Sequence, residues 1–229
     1  MSTSKYAVVD LETTGHSPSK GDRIIQIAIV FIENNQIIDT YMRYVHPQRT
    51  IPPFIHQLTS IGDEDVADAP PFEEIAEEVA YMLAGCVFVA HNTDFDVSFL
   101  QKELVRCGVS KWQGKKIDTV ELAKILYPTL PGYRLQDIAE ALNIPLHQAH
   151  RADDDAKATA EFFLKALAKI HDLPKETLGR LHERSFAMKS DLSTLFYEGL
   201  RSVQSKETAK EYSLFRGIPY RKEQEMAPC

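Results

Sequence analysis

A chain of 229 residues with 44% hydrophobic and 26% charged residues has the size for one well-packed domain plus an appendage, and its composition excludes a fibrous or wholly disordered protein. Its 33 acidic against 26 basic residues give a formal net charge of −7, which excludes a protein that holds nucleic acid mainly through a basic surface. No window offers the roughly 18 uninterrupted apolar residues of a membrane span. The N-terminus, Met1-Ser-Thr-Ser-Lys5, runs straight into an apolar strand-like segment without the pattern of a secretory signal. The three cysteines, Cys86, Cys107 and Cys229, lack metal-type spacing, so a cytoplasmic protein with free thiols is expected, Cys86 being a small buried hydrophobe.

In chain order, residues 5–11 read as a buried strand, and 23–33 and 36–45 as two more, joined at the turn-prone Asn34-Asn35 pair. A short helix is expected over 53–59. Pro70-Pro71 then precedes a helix over 72–84, where Phe72, Ile75, Val79, Met82 and Leu83 repeat at helical spacing. Strand 86–90 follows, and a helix to about 107 that Thr93 or Asp94 is expected to cap, with Phe95, Phe99, Leu100 and Leu104 on one face. A strand near 115–119 comes next, then an amphipathic helix marked by Leu135, Ile138, Ala139 and Leu142, and a longer one over 152–170. A meander followed by alternating strands and helices indicates an α/β fold with a mixed central sheet. Beyond His171 the pattern is helical and polar. The stripe Leu192, Leu195, Phe196, Leu200 and Val203 has no obvious partner helix, which suggests a surface for a missing domain or a second copy. Residues 206–229 are charged and weakly periodic, as in a partly disordered segment.

Three segments can carry chemistry. Asp10 and Glu12, in Asp10-Leu-Glu-Thr-Thr-Gly15, stand two residues apart at the end of a buried strand and so point to one side of the sheet. The plain alternative is a strand that is ending. In His91-Asn-Thr-Asp-Phe-Asp96-Val-Ser-Phe-Leu100, Asp94 suits a first helical turn, whereas Asp96 shares the inward side with Phe99 and Leu100. A carboxylate there is costly without a partner, and a salt bridge to an Arg or Lys is the structural alternative. In His150-Arg-Ala-Asp-Asp-Asp155-Ala, Asp153 and Asp154 suit a helix start facing solvent, while Asp155 aligns with Thr159 and Phe162 and turns inward. His150 belongs to the residue type that changes charge near neutral pH, and it gains meaning only from this company. Inward carboxylates from three segments would repel one another unless divalent ions sat among them, and oxygen-only ligands point to Mg²⁺ or Mn²⁺ rather than zinc. Such ions would also neutralise the phosphates that this acidic chain cannot.

These segments, Asp10-x-Glu12-Thr-Thr-Gly, His91-Asn-x-x-Phe-Asp96-x-x-Phe-Leu and His150-x-Ala-x-x-Asp155, resemble in order and spacing the three motifs of the DnaQ-like, DEDDh 3′-to-5′ exonuclease family. The resemblance covers residues 5–170, including Leu58-Thr-Ser-Ile61 and Tyr133-Arg-Leu135. It implies an RNase H-like fold, two divalent ions (Mg²⁺ or Mn²⁺) held by Asp10, Glu12, Asp96 and Asp155, and His150 as general base. By the same resemblance Asp10 bridges both ions, Glu12 and Asp155 hold the one that lowers the pKa of the attacking water, and Asp96 serves the other. The implied reaction releases nucleoside monophosphates from the 3′ end of single-stranded DNA or RNA.

Gly21-Asp-Arg-Ile-Ile25, Pro52-Pro-Phe-Ile55 and Lys189-Ser-Asp-Leu192 further resemble the N-terminal exonuclease domain of DinG-type helicases of Gram-positive bacteria. Residues 1–171 are then the exonuclease domain and 172–229 a helical, charged extension leading to a missing domain, with a helicase domain or a polymerase as partner. No Gly-x-x-x-x-Gly-Lys-Ser/Thr segment is present, so no ATP site is expected. Two other readings stay open: a proofreading exonuclease like that of bacterial DNA polymerase III, and a non-catalytic module that binds nucleic-acid ends or a polymerase.

Overall fold

The computed structural model describes residues 4–147 and 149–215. Five strands, β1 (Tyr6–Thr13), β2 (Ile24–Glu33), β3 (Gln36–Tyr44), β4 (Val87–Ala90) and β5 (Lys116–Asp118), form one sheet in the order β3-β2-β1-β4-β5. The first three are an antiparallel meander, and the hairpin between β2 and β3 turns at Asn34 and Asn35, both at positive φ, the conformation such a two-residue turn requires. β4 and β5 run parallel to β1. The expected mixed α/β sheet is therefore present. β1 is its centre, antiparallel to one neighbour and parallel to the other.

Helices α1 (Pro53–Thr59), α2 (Asp63–Val66) and α3 (Phe72–Leu83) join β3 to β4, and α4 (Thr93–Arg106) joins β4 to β5. The chain continues through α5 (Thr119–Leu126), α6 (Leu135–Ala141), α7 (Ala152–His171), α8 (Lys175–Ser185) and α9 (Leu192–Phe215). Helices on both faces explain why β1 and β2 are apolar almost throughout rather than alternating. On one face Ala7, Val9, Leu11, Ile27 and Ile29 pack with Phe72, Val79, Phe99, Leu100 and Leu104 of α3 and α4. On the other, Val8, Ala28 and Val30 pack with Ala156, Phe163 and Leu167 of α7 and with Leu122, Ile138 and Leu178 of α5, α6 and α8.

Buried Glu103 of α4 accepts from Arg23 Nε at 2.6 Å and from Arg106 Nη2 at 2.5 Å, and Arg106 also pairs with Glu73 of α3. This network ties α4 to the start of β2 and to α3, with every member charged and paired.

One expectation about the C-terminal segment is corrected. The stripe on α9 does have a partner: Leu192, Leu195 and Phe196 are fully buried in the same core as Phe162, Phe163, Ile170 and Leu178, and Leu200 and Val203 pack on its margin. Glu198 also accepts from the Tyr6 hydroxyl at 2.8 Å and the Ser4 hydroxyl at 2.5 Å, fastening α9 to the first strand. Such a partner lies some 190 residues upstream, too distant for helical periodicity to reveal. The helix runs on through residue 215, and 216–229, with Cys229 and most of the segment expected to be partly disordered, lie outside the described residues. Ahead of α9, the Asp191 amide donates to the Lys116 carbonyl at 2.7 Å, and the Lys116 amide to Asp191 Oδ2 at 2.9 Å. The open edge at β5 is thereby covered.

Because Phe196 is fully buried, Phe196→Ala should lower unfolding free energy by about 3–5 kcal/mol, measured by urea denaturation. A cost near zero would show that α9 does not brace the core.

Candidate active site

Along β1 the side chains alternate, so Asp10 and Glu12 share the face of Tyr6 and Val8, the face on which α7 lies. Asp155, in the first turn of α7, meets them at the C-terminal end of β1, where one carboxylate oxygen from each of Asp10, Glu12 and Asp155 lies within 4.8 Å of the others. Asp96, in the first turn of α4, is outside this trio but lines the same cleft, as do His91 and His150, with Leu58 and Phe95 supplying apolar wall. Asp96 reaches it because β1 and β4 are parallel neighbours and end side by side, and α4 starts two residues beyond β4. The cleft holds about 260 Å³. A larger cavity of about 520 Å³ opens at the opposite end of β4, around Cys86, Val87 and Trp112, but no carboxylate or histidine lines it.

All four carboxyl groups are pushed up in pKa. Burial raises Glu12 to about 8, with the charge of Asp155 adding to it and Arg151 opposing. Asp155 rises to about 6, again mainly through burial, although the His150 backbone amide pulls it back. Asp10 is raised well above the carboxylate range by burial and then by Asp96, Glu12 and Asp155. Burial lifts Asp96 likewise, opposed by its own amide and that of Leu11. The cluster lacks positive charge, and Asp155 Oδ1 is buried with no hydrogen-bond partner among the described residues. An unpaired buried oxygen is costly, and a hard divalent cation among three or four carboxylates would relieve both deficits. The donor set therefore fits Mg²⁺ or Mn²⁺.

His150 stands exposed at the cleft rim, in the left-handed backbone region at φ 65°. Its amide donates to Asp155 Oδ2 at 3.0 Å, which couples the loop before α7 to the carboxylate cluster. A non-glycine residue held in this region next to a cleft marks a place where the fold imposes a conformation.

Several supports were not read from the sequence. His91 bridges the Thr119 hydroxyl (Nδ1, 2.9 Å) and the Tyr133 carbonyl (Nε2, 3.0 Å), and burial lowers its pKa. Asp118 receives the Thr93 amide at 3.0 Å through Oδ2 and the Val120 amide at 2.8 Å through Oδ1, so one carboxylate serves the N-termini of both α4 and α5. Neither Thr93 nor Asp94 caps α4, as had been expected: Asn92 occupies the cap position at φ 77° without a side-chain bond, and Asp94 instead pairs with Lys116 at 2.5 Å. The signal for Asp118 was legible as Asp118-x-x-Glu121 ahead of Leu122 and Ala123, the pattern of a helix start. Gln26, a polar residue inside the run Ile24-Ile-Gln-Ile27, is fully buried beside Glu12. Asp153 is half-buried rather than solvent-facing, 3.7 Å from Arg151 Nε and 3.4 Å from Gln26 Nε2.

The exonuclease family named RNase_T matches residues 7–163, the span that carries the sheet and all four carboxylates of the cleft; the chain belongs to that family. Among its relatives, the 3′-5′ exonuclease DinG of Staphylococcus aureus (strain MRSA252) is 45% identical over 223 residues, 97% of this chain and 25% of that protein. The chain thus spans about a quarter of the length of the curated relatives it matches. Exonuclease X, solved in complex with 5′ overhanging duplex DNA, is 25% identical with a TM-score of 0.57, covering 71% of this chain and 91% of that one. E. coli exonuclease I in complex with a dT13 oligonucleotide shares the fold, with a TM-score of 0.66 at 20% identity over 80% of this chain and 44% of that one. So does the nuclease domain of 3′hExo, a DEDDh family member bound to rAMP, with a TM-score of 0.63 at 20% identity over 72% and 92%.

The raised carboxyl groups set a sign for the metal-free protein. The folded state keeps its protons up to about pH 8 at Glu12 and about 6 at Asp155, whereas the unfolded chain loses them near 4.5 and 3.8. Between those values the folded form binds more protons, so stability is greatest at the acid side and declines as pH rises. Thermal melts in EDTA should show Tm falling from pH 5 to pH 8, and Mg²⁺ or Mn²⁺ should restore it at pH 8. A flat or rising Tm in EDTA over that interval would contradict this electrostatic picture.

Proposed function

We propose that this chain is a 3′-to-5′ exonuclease domain that hydrolyses the terminal phosphodiester bond of single-stranded nucleic acid and releases nucleoside monophosphates. The observation that carries this reading is the convergence of Asp10, Glu12 and Asp155 within 4.8 Å, with Asp96 and His150 on the same cleft, in a member of the exonuclease family. The direction of cleavage is supported by the Staphylococcus aureus relatives, whose name states it. Single-stranded ends suit an acidic cleft of about 260 Å³, and the shared fold with exonuclease I, solved in complex with a dT13 oligonucleotide, is consistent with that.

Asp10, Glu12, Asp96 and Asp155 would hold two divalent cations, Mg²⁺ or Mn²⁺. When bound, these ions supply the positive charge that offsets the carboxylates, activates water and stabilises the leaving 3′ oxygen. The protein's own residues do the rest. Asp155, through the His150 amide, holds the histidine loop at the mouth of the cleft. His150 takes a proton from the attacking water onto an imidazole nitrogen, and its exposure lets it pass that proton to solvent. Leu58 and Phe95 offer apolar surface against which a terminal base can rest. The relatives' greater length makes a helicase domain in the same polypeptide the favoured partner, with residues 172–229 leading toward it. A cytoplasmic setting fits a chain in which no described helix is long and apolar enough to cross a membrane.

Two measurements test this. With a 3′-labelled and a 5′-labelled single-stranded oligonucleotide, the 3′ label should leave at once as mononucleotide while the 5′-labelled strand shortens stepwise, and EDTA or Asp10→Ala should abolish both. An intact oligonucleotide that remains bound would instead favour an end-binding module. His150→Ala should lower turnover by about 10²–10⁴-fold while Mn²⁺ and oligonucleotide affinities stay close to wild type. Unchanged turnover would remove His150 from the mechanism.

A further inference from the structure

The trio of carboxylates is assembled from two elements that are far apart in sequence, β1 and α7, and a buried polar side chain of the neighbouring strand β2 reaches the start of the second. Glu12 of β1 and Gln26 of β2 are direct cross-strand partners, so both side chains emerge on the α7 face of the sheet. Gln26 is fully buried, and its Oε1 accepts the Ala152 backbone amide at 3.0 Å, while Nε2 stands 3.4 Å from Asp153 Oδ1. Ala152 is the first residue of α7, and its amide is among the donors that a helix start leaves unsatisfied. The cap position itself is filled by Arg151, which provides no side-chain acceptor. The sheet therefore caps this helix in place of the helix's own sequence.

We infer that Gln26 is a positioning residue for the catalytic cluster: by capping α7 from the strand beside Glu12, it sets Asp155 and the His150 loop in register with Asp10 and Glu12. The inference rests on the exonuclease reading of the site. Its geometric content is that the same side chain which neighbours Glu12 along the sheet holds the residue three places before Asp155. A carboxamide does this without adding charge to an already overcrowded group of acids, whereas an apolar residue would leave the Ala152 amide buried and unpaired. The helix would then be free to shift at its first turn, where Asp155 and the His150 amide are linked at 3.0 Å.

The test compares Gln26→Met, which keeps the shape but loses the acceptor, with Phe196→Ala, which destabilises the same core from outside the cleft. Two readouts are taken: the Mn²⁺ concentration for half-maximal thermal shift, and kcat and KM on a 5′-labelled oligonucleotide. Gln26→Met should raise the half-saturating Mn²⁺ concentration and lower kcat, each by about 10- to 100-fold, with KM little changed, as for residues that orient metal ligands. Phe196→Ala should leave both close to wild type at temperatures well below its Tm. A purely structural role predicts a lower Tm with unaltered half-saturation and kcat well below that temperature, and this result overturns the inference. Should Gln26→Met fail to fold, Gln26→Asn, which withdraws the acceptor by one methylene without adding charge, takes its place, and half-saturation and kcat equal to those of Phe196→Ala are the overturning result. A wild-type protein that binds Mn²⁺ yet degrades no oligonucleotide refutes the exonuclease reading while the Mn²⁺ titrations still judge Gln26. No Mn²⁺ response in wild type overturns both.

Discussion

Four carboxylates drawn into one partly buried cleft repel one another, and the architecture around them is organised by that fact. Burial contributes most to their raised pKa values, and their mutual repulsion adds to it. The compensations provided by the chain are mainly backbone amides, the His150 amide on Asp155 and those of Leu11 and Asp96 itself on Asp96, with the charge of His150 adding to the first. Arg151 is the one basic side chain that eases Glu12. Amide dipoles stabilise a negative charge without neutralising it, so the site stays short of positive charge. That shortage is what makes a divalent-cation site physically coherent here.

The sheet order makes the cluster possible. With β1 central, antiparallel to β2 and parallel to β4, the C-terminal end of β1 lies beside the C-terminal end of β4 on one side and the beginning of β2 on the other. The first neighbour delivers α4 with Asp96. The second delivers Gln26, against which α7 and Asp155 are set. Asp118, at the end of the next parallel strand, stabilises the start of α4, and His91 ties the end of β4 to α5 and to the loop at Tyr133. Helix starts thus converge on the acidic cleft, where their dipoles oppose the repulsion among the acids.

Away from the cleft, the C-terminal helices complete the domain. α9 packs with α7 and α8 in one core and is joined to β1 through Tyr6 and Glu198. Asp191 closes the β5 edge, and Glu121 of α5 holds Ser190 through its amide at 3.2 Å and its hydroxyl at 2.6 Å.

The meander, the long helices and the mixed sheet were legible in the sequence, and so was the grouping of Asp10, Glu12, Asp96, His150 and Asp155 that the fold brings to one cleft. Strand and helix periodicities are local, and motif residues cluster within ten positions of one another. Asp10 and Glu12 declared a shared face by their spacing alone, and Asp96 and Asp155 declared theirs by sitting in line with apolar neighbours. What the tertiary structure decided depends on contacts between distant segments: that Asp155 rather than Asp96 completes the tight trio, that Asp118 replaces Thr93 or Asp94 at the start of α4, that Gln26 caps α7, and that the stripe on α9 belongs to the core. Each is a pairing across roughly 25 to 190 positions, set by strand order and by which helix start lies nearest a free acceptor. A polar residue in an apolar strand announces that a partner exists; only the fold says which amide it is.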